Sequence, residues 1–209
     1  MGAILPALLI IVLVAVVASI GRDGLWSNTI VFFNVLVAAL VATNFFEPLA
    51  EWLKSRAGDF NILFDLLSLW VLFAGVLFAL RAATDAVSRV KVRFVPPLDR
   101  FGGFAVAVLC GWILVCFVMM TLHTAPLARD FLFGGFRPEE RMLFGTAPDR
   151  VWLGFMQRLS LGPLARSAPE GQPEAYAFDP RGDFMPKYAT RRDEYSKTDT
   201  FTGKKSGAQ

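Results

Sequence analysis

The sequence predicts an all-α membrane protein with four transmembrane helices, interfacial amphipathic segments and a largely irregular C-terminal tail. Residues 3–20, 24–46 and 101–128 contain no Asp, Glu, Lys or Arg, and residues 60–80 contain one such residue, Asp65. Each block is close to or above the roughly 20 apolar residues that a helix needs to cross a bilayer core. A soluble domain could reach the same 55% hydrophobic content, but it would not gather its apolar residues into four long blocks that together contain one charged residue.

The transmembrane domain is expected to cover residues 1–128. Its spans are predicted at residues 3–20, 27–46, 61–81 and 101–123. The polar sequence Gly21-Arg22-Asp23-Gly24 predicts a tight turn, which makes the first two spans an antiparallel hairpin. The first block also admits a second interpretation as a cleaved signal peptide, although no Lys or Arg precedes its apolar stretch.

Two connecting segments have patterns of their own. Residues 47–60 place Leu49, Trp52 and Leu53 at helical spacing opposite charged side chains, which predicts a short amphipathic helix in the headgroup region. Residues 89–94 alternate polar and apolar side chains. That alternation is typical of an extended segment, and the basic residues fit equally a solvated loop near anionic lipid.

The C-terminal third is expected to lie outside the bilayer. Residues 129–164 form a predicted amphipathic surface segment, in which a helix over 148–161 would place Trp152, Phe155, Met156 and Leu159 against the membrane. Residues 165–209 are rich in Pro, Gly, Ser and charge, with few aliphatic side chains. We expect this tail to be disordered, or extended over a partner.

Polar side chains within or beside the spans are functional candidates because burying them in lipid is costly. Asn34 is the deepest, and it could either join helices by hydrogen bonding or line a polar path. Asp65 lies in the first turn of the third span. Asp99 is expected to cap the helix of the fourth span, with Arg100 reaching a lipid phosphate or a carboxylate such as Asp65.

The fourth span carries small residues at a spacing of four, namely Gly103, Ala107 and Gly111. Small residues on one face let two helices approach closely in lipid. We therefore expect this face to contact another span, either within the chain or in a partner. The partner could be a second copy, which would give a homo-oligomer, or another membrane protein.

Signals for catalysis are lacking in the sequence. The single histidine, His123, is interpreted as a polar group at the membrane interface. No Cys/His spacing is typical of a metal site, and no phosphate-binding loop or nucleophile elbow is present. We expect no catalytic, cofactor-binding or metal-binding residues and no cofactor. The net charge of +3 is too small and too mixed to indicate nucleic-acid binding.

The order of these elements resembles the colicin V production protein (CvpA) family of bacterial inner-membrane proteins. Arg22 lies in a glycine-flanked turn like the family's turn after its first span. Asp99-Arg100-Phe101-Gly102-Gly103 is similar to the family's Asp-Arg-x-x-Gly entry to the last span, and Ala107 and Gly111 continue its small-residue repeat. The resemblance covers about residues 3–125. It departs at Cys110, where many members have arginine.

The resemblance implies a multi-pass protein of the bacterial inner membrane that takes part in toxin production or export and in envelope homeostasis. No enzymatic activity comes with it, so we expect a scaffold or accessory protein. The alternative is a small channel or transporter, which would need several copies and a polar stripe across the membrane. The two possible cytoplasmic sides carry six and five Lys+Arg residues near the spans, so the positive-inside rule does not separate the two orientations.

Overall fold

The computed structural model describes residues 4–57, 63–88, 92, 94–127, 131–137, 140–167 and 176–195. Within these residues the fold is all-helical and contains no strand. The alternating segment 89–94 lies largely outside the described residues. The helices are α1 (Ile4–Ile20), α2 (Leu25–Ala57), α3 (Phe64–Val87), α4 (Pro96–Thr124), α5 (Phe131–Gly134), α6 (Pro148–Ser160) and α7 (Phe184–Tyr195).

Three of the helices, α2, α3 and α4, are long and apolar enough to cross a membrane. The remaining apolar helix, α1, has 17 residues, which corresponds to about 25 Å at the usual rise. The structure thus supports a multi-pass, all-helical membrane protein. The first predicted span is present as a helix, although it is shorter than the other three.

The central helix of the bundle is α4, which packs against α1, α2 and α6, while α3 packs mainly against α2. The predicted hairpin of the first two spans is therefore connected by a turn, but each of its helices packs chiefly on other helices. We call the end of the bundle with residues 21–25, 84–88 and 95–103 the turn end. The opposite end, with residues 4–9, 44–56, 64–68 and 117–124, is the cap end.

The predicted separate amphipathic helix over 47–60 is wrong, because α2 continues without interruption through Pro48 to Ala57. A proline inside a helix cannot donate to the carbonyl four residues earlier, which here is that of Asn44. In this fold the Asn44 carbonyl accepts a hydrogen bond from Arg166 Nη1 at 2.9 Å. The C-terminal region therefore satisfies the acceptor that Pro48 leaves open.

The helix predicted over 148–161 is present as α6, but its main apolar side chains do not face lipid. Trp152, Leu153 and Met156 are buried, and α6 packs against α4 and α2. The Trp152 ring lies edge-on to Phe117 with centroids 6.0 Å apart. The helix lies on the protein because its tryptophan fits an aromatic cluster of the bundle.

The tail prediction is wrong for residues 176–195, which are ordered against the cap end. Phe184 and Tyr188 of α7 are almost fully buried, as is Phe178 before it. Their rings pack on one another and on Phe46 of α2, with centroid separations of 4.7–6.4 Å. Aromatic rings supply the buried area that the scarce aliphatic residues of this segment do not. Residues 168–175 and 196–209 lie outside the described residues.

The loop between α5 and α6 contains three consecutive residues in the left-handed region. The φ angles of Leu143, Phe144 and Gly145 are 54°, 55° and 83°. Glycine adopts this conformation without strain, whereas each non-glycine residue held in it costs about 1–2 kcal/mol of conformational free energy. The loop thus holds a strained shape that leaves Phe144 84% exposed, while Leu143 is buried.

Candidate functional site

The turn end joins α2 and α4 through Asp99. This residue lies in the first turn of α4, yet Val95 occupies the N-cap of α4 and no side chain caps that helix. Asp99 Oδ1 instead accepts the backbone N–H of Leu25, the first residue of α2, at 2.9 Å. The prediction that Asp99 caps its own helix is therefore wrong. Its carboxylate satisfies an orphan donor at the positive end of the α2 dipole.

Gly103 brings the backbones of α4 and the turn into direct contact. A Cβ atom at this position would lie 2.9 Å from the Gly24 carbonyl carbon and 3.0 Å from the Leu25 nitrogen. Gly24 itself has a φ of 85°, which favours glycine. The buried side chain of Asn28 donates from Nδ2 to the Gly103 carbonyl at 2.9 Å. Asn28 was not among the predicted site residues, although it is a polar residue in a charge-free block.

The remaining small residues of the predicted face lie deeper in the bundle. Ala107 has no exposed surface. A Cβ atom at Gly111 would lie 2.7 Å from Leu13 Cδ1, so α1 and α4 approach closely at this point. The face of Gly103, Ala107 and Gly111 is therefore filled by other parts of the same chain.

Asn34 joins α2 to α3. Its side chain is 5% exposed, and Nδ2 donates to Thr84 Oγ1 at 3.0 Å. Of the two interpretations of Asn34, this geometry favours hydrogen bonding between helices over a polar path.

Arg22 and Arg100 are exposed at the turn end. The suggested contact between Arg100 and Asp65 is wrong, because Asp65 begins α3 at the cap end. There it binds Lys54 and Arg191. A lipid phosphate or another carboxylate stays the prediction for the partner of Arg100.

Replacing Asp99 by alanine should lower the stability of the protein in detergent by about 1 kcal/mol, the usual effect of losing a helix cap. Asp99→Asn should retain most of the stability, since asparagine also accepts the N–H of Leu25. The measurement is the midpoint of thermal unfolding. Asp23→Ala, in the exposed part of the same turn, serves as the control. Equal midpoints for Asp99→Ala and the wild type would show that this contact does not stabilise the fold.

Comparison with protein families matches residues 7–133 to the family described as Colicin V production protein. The match covers more than half of the chain. The chain belongs to the colicin V production protein family. The resemblance drawn from the Asp99-Arg100-x-x-Gly103 motif is thereby confirmed. No curated protein and no solved structure matches the chain.

The matched region contains nearly all of α1–α4 and every turn-end residue described above, whereas α6 and α7 lie beyond it. The cap end of this colicin V production family protein is thus the place where the family core meets a C-terminal region outside the match. A second set of polar contacts is concentrated there.

Asp65 anchors α7 at the cap end. Its side chain is 4% exposed and binds Lys54 Nζ at 2.7 Å and Arg191 Nη1 at 3.0 Å. Lys54 belongs to the last turn of α2, and Arg191 belongs to α7. One carboxylate therefore holds three helices together, because two cations from different helices neutralise it on both oxygens.

Glu47 of α2 provides a second anchor for α7. It accepts hydrogen bonds from Lys187 Nζ at 2.7 Å and from the Tyr188 hydroxyl at 3.4 Å. Burial raises the pKa of Tyr188 well above its usual range, and the nearby carboxylate of Glu47 adds to this effect. The phenol therefore stays neutral and acts as the donor.

His123 forms a buried pair with Asp149, which the sequence did not indicate. His123 Nε2 and Asp149 Oδ2 are 2.9 Å apart, and both side chains have no solvent exposure. The carbonyl of His123 accepts a hydrogen bond from Arg192 Nη1 at 2.8 Å. Burial lowers the pKa of Arg192. The end of α4 is thus joined to the start of α6 and to α7, and the earlier interpretation of His123 as an interface group misses these partners.

The polar residues at the end of the second predicted span also bind the C-terminal region. Thr43 Oγ1 accepts a hydrogen bond from Trp152 Nε1 at 3.0 Å. Asn44 Nδ2 donates to the Leu164 carbonyl at 2.9 Å. Among the described residues, no group of three or more His, Cys, Asp or Glu side chains is placed to hold a metal ion. These polar contacts join helices to one another.

Proposed function

We propose that the protein is a non-enzymatic scaffold or accessory component of toxin production or export that also contributes to envelope homeostasis. Family membership suggests a membrane protein involved in toxin production. The observation that carries the proposal is the use of the polar side chains of α2. Four polar side chains of α2 are buried, and each forms a hydrogen bond with a part of the chain outside α2. They are Asn28, Asn34, Thr43 and Asn44.

This use of polar groups supports a packing role over a transport role. A transport path needs polar side chains that face a common opening. Here the partners of the four residues lie in α4, α3, α6 and the segment after α6. These hydrogen bonds join α2 to α4, to α3, to α6 and to the segment after α6.

The proposal includes four membrane crossings in the bacterial inner membrane. The start of α1 lies at the cap end, where a Cβ at Gly135 would lie 3.8 Å from Leu5 Cβ. Its end leads into the Gly24 turn that contacts Gly103 at the turn end. Although α1 is short, its two ends thus lie near opposite ends of the bundle, which supports a fourth crossing.

Flux through reconstituted liposomes tests the scaffold against a channel or transporter. Purified protein in liposomes loaded with a pH-sensitive dye, under a proton or potassium gradient, should show no more flux than empty liposomes. In parallel, expression of the chain in a strain lacking its own family member should restore toxin production. Flux that rises with protein density would contradict the scaffold, and failed restoration would contradict the accessory role.

A further inference from the structure

An apolar groove of about 540 Å³ lies at the cap end, apart from the contacts described above. One wall is the first two turns of α1, with Leu5, Pro6, Leu9 and Ile10. The other wall belongs to the loop between α5 and α6 and includes the strained residues Leu143 and Phe144. Its volume lies in the range of small-molecule binding sites, which combine apolar walls with a few orienting polar groups.

The orienting polar groups of this groove are an arginine and a glutamate. Arg137 and Glu140 both line it, and Arg137 Nη1 lies 3.0 Å from Glu140 Oε1. Their side chains are 62% and 63% exposed, so both charges are accessible from outside. A ligand that fits this pattern carries an apolar body and, at one end, a negative and a positive group side by side.

The position of the groove indicates where such a ligand comes from. The loop meets α1 at Leu5, at the beginning of an apolar helix, where a membrane interface is expected. Ile10 lies five residues further along α1, or about 7.5 Å deeper. If α1 crosses the membrane as proposed above, the charged rim lies at headgroup level and the apolar walls extend towards the acyl chains.

We propose that this groove binds one phospholipid with a zwitterionic, primary-amine headgroup. Its phosphate binds the Arg137 guanidinium, which matches phosphate geometry. Its ammonium group donates to the Glu140 carboxylate, and one acyl chain lies along Ile10 and Met142. An anionic lipid without the amine could still place its phosphate on Arg137, but it would bring no cation to the Glu140 carboxylate, whose charge would then weaken its binding.

Native mass spectrometry of the full chain in detergent tests this site. The protein is titrated with phosphatidylethanolamine, phosphatidylglycerol and phosphatidylcholine of identical acyl chains. We expect one phosphatidylethanolamine molecule to bind about tenfold more tightly than phosphatidylglycerol. Phosphatidylcholine, whose quaternary ammonium cannot donate a hydrogen bond, should bind more weakly than phosphatidylethanolamine. Glu140→Gln should abolish the preference over phosphatidylglycerol.

A pair of neighbouring variants separates the groove from the general lipid-facing surface. Ile10→Trp fills the groove and should remove the tight site. Ile11→Trp, at a 62% exposed position that does not line the groove, should leave it intact. If Ile10→Trp fails to fold, Phe144→Ala should weaken binding of phosphatidylethanolamine. Equal affinities for the three lipids, tighter binding of phosphatidylglycerol, or no lipid adduct at all would overturn the proposal.

Discussion

Gly103→Leu should give the least stable of the glycine variants, with a loss of about 3 kcal/mol, the upper end of the usual cost of overpacking. The atoms that a side chain at Gly103 would meet are backbone atoms of Gly24 and Leu25. They cannot move without breaking the contact of Leu25 with Asp99. The variant should therefore lose both the close approach and the cap of α2. The measurement is the midpoint of thermal unfolding in detergent, together with the yield of folded protein.

Two other glycines provide graded controls for this prediction. Gly111→Leu should cost less, because the nearest atom is the end of the flexible Leu13 side chain. Gly75→Leu should cost little, since no atom lies within 4 Å of a Cβ at this position on α3. Similar losses for the three variants would show that close packing at Gly103 is not what stabilises the turn end.

Asp65→Ala should release α7 from the cap end and destabilise its docking by about 2 kcal/mol. Removing one partner of a fully buried ion pair costs about 3–5 kcal/mol. The effect is reduced here because the side chains of Lys54 and Arg191 are 23% and 31% exposed. Hydrogen exchange of residues 184–195 measures the opening of α7 directly, and it should become faster in the variant.

The same helix offers a matched control for Asp65. Asp85 forms an ion pair with Arg81 in which both side chains are more than half exposed. Asp85→Ala should leave exchange in α7 unchanged, since exposed pairs contribute little. Unchanged exchange in Asp65→Ala as well would show that the aromatic contacts of Phe184 and Tyr188 hold α7 without the carboxylate.

The positions of the long helices could be predicted because charge-free blocks respond to one physical constraint, the apolar bilayer core. The hydrogen-bond partner of Asp99 could not be predicted in this way. Local capping rules favour the helix in which the aspartate lies, whereas the tertiary fold places the unpaired N–H of Leu25 next to it. For Asn34 the sequence left two interpretations open, and only the position of Thr84 distinguishes them.

The contacts of the C-terminal region at the cap end were not predicted, for a different reason. Composition argued against order in the tail, but Phe184, Lys187, Tyr188 and Arg191 recur at helical spacing. That pattern could have indicated a helix that buries aromatic rings and pairs its cations with carboxylates. Pro48 was a second available signal, because a proline leaves the carbonyl of Asn44 without a donor from its own helix, so that another part of the chain can bind it. The His123–Asp149 pair offered no local pattern, because 26 residues separate its members.

We propose a bundle that crosses the membrane four times and carries both the start of α1 and the C-terminal region at its cap end. Single-cysteine labelling from each side of the membrane tests it most directly, with Cys110 and Cys116 replaced by serine. Asp23→Cys and Val92→Cys should be labelled from one side, and Gly2→Cys and Phe144→Cys from the other. Labelling of residue 2 from the same side as residue 23 would contradict the fourth crossing.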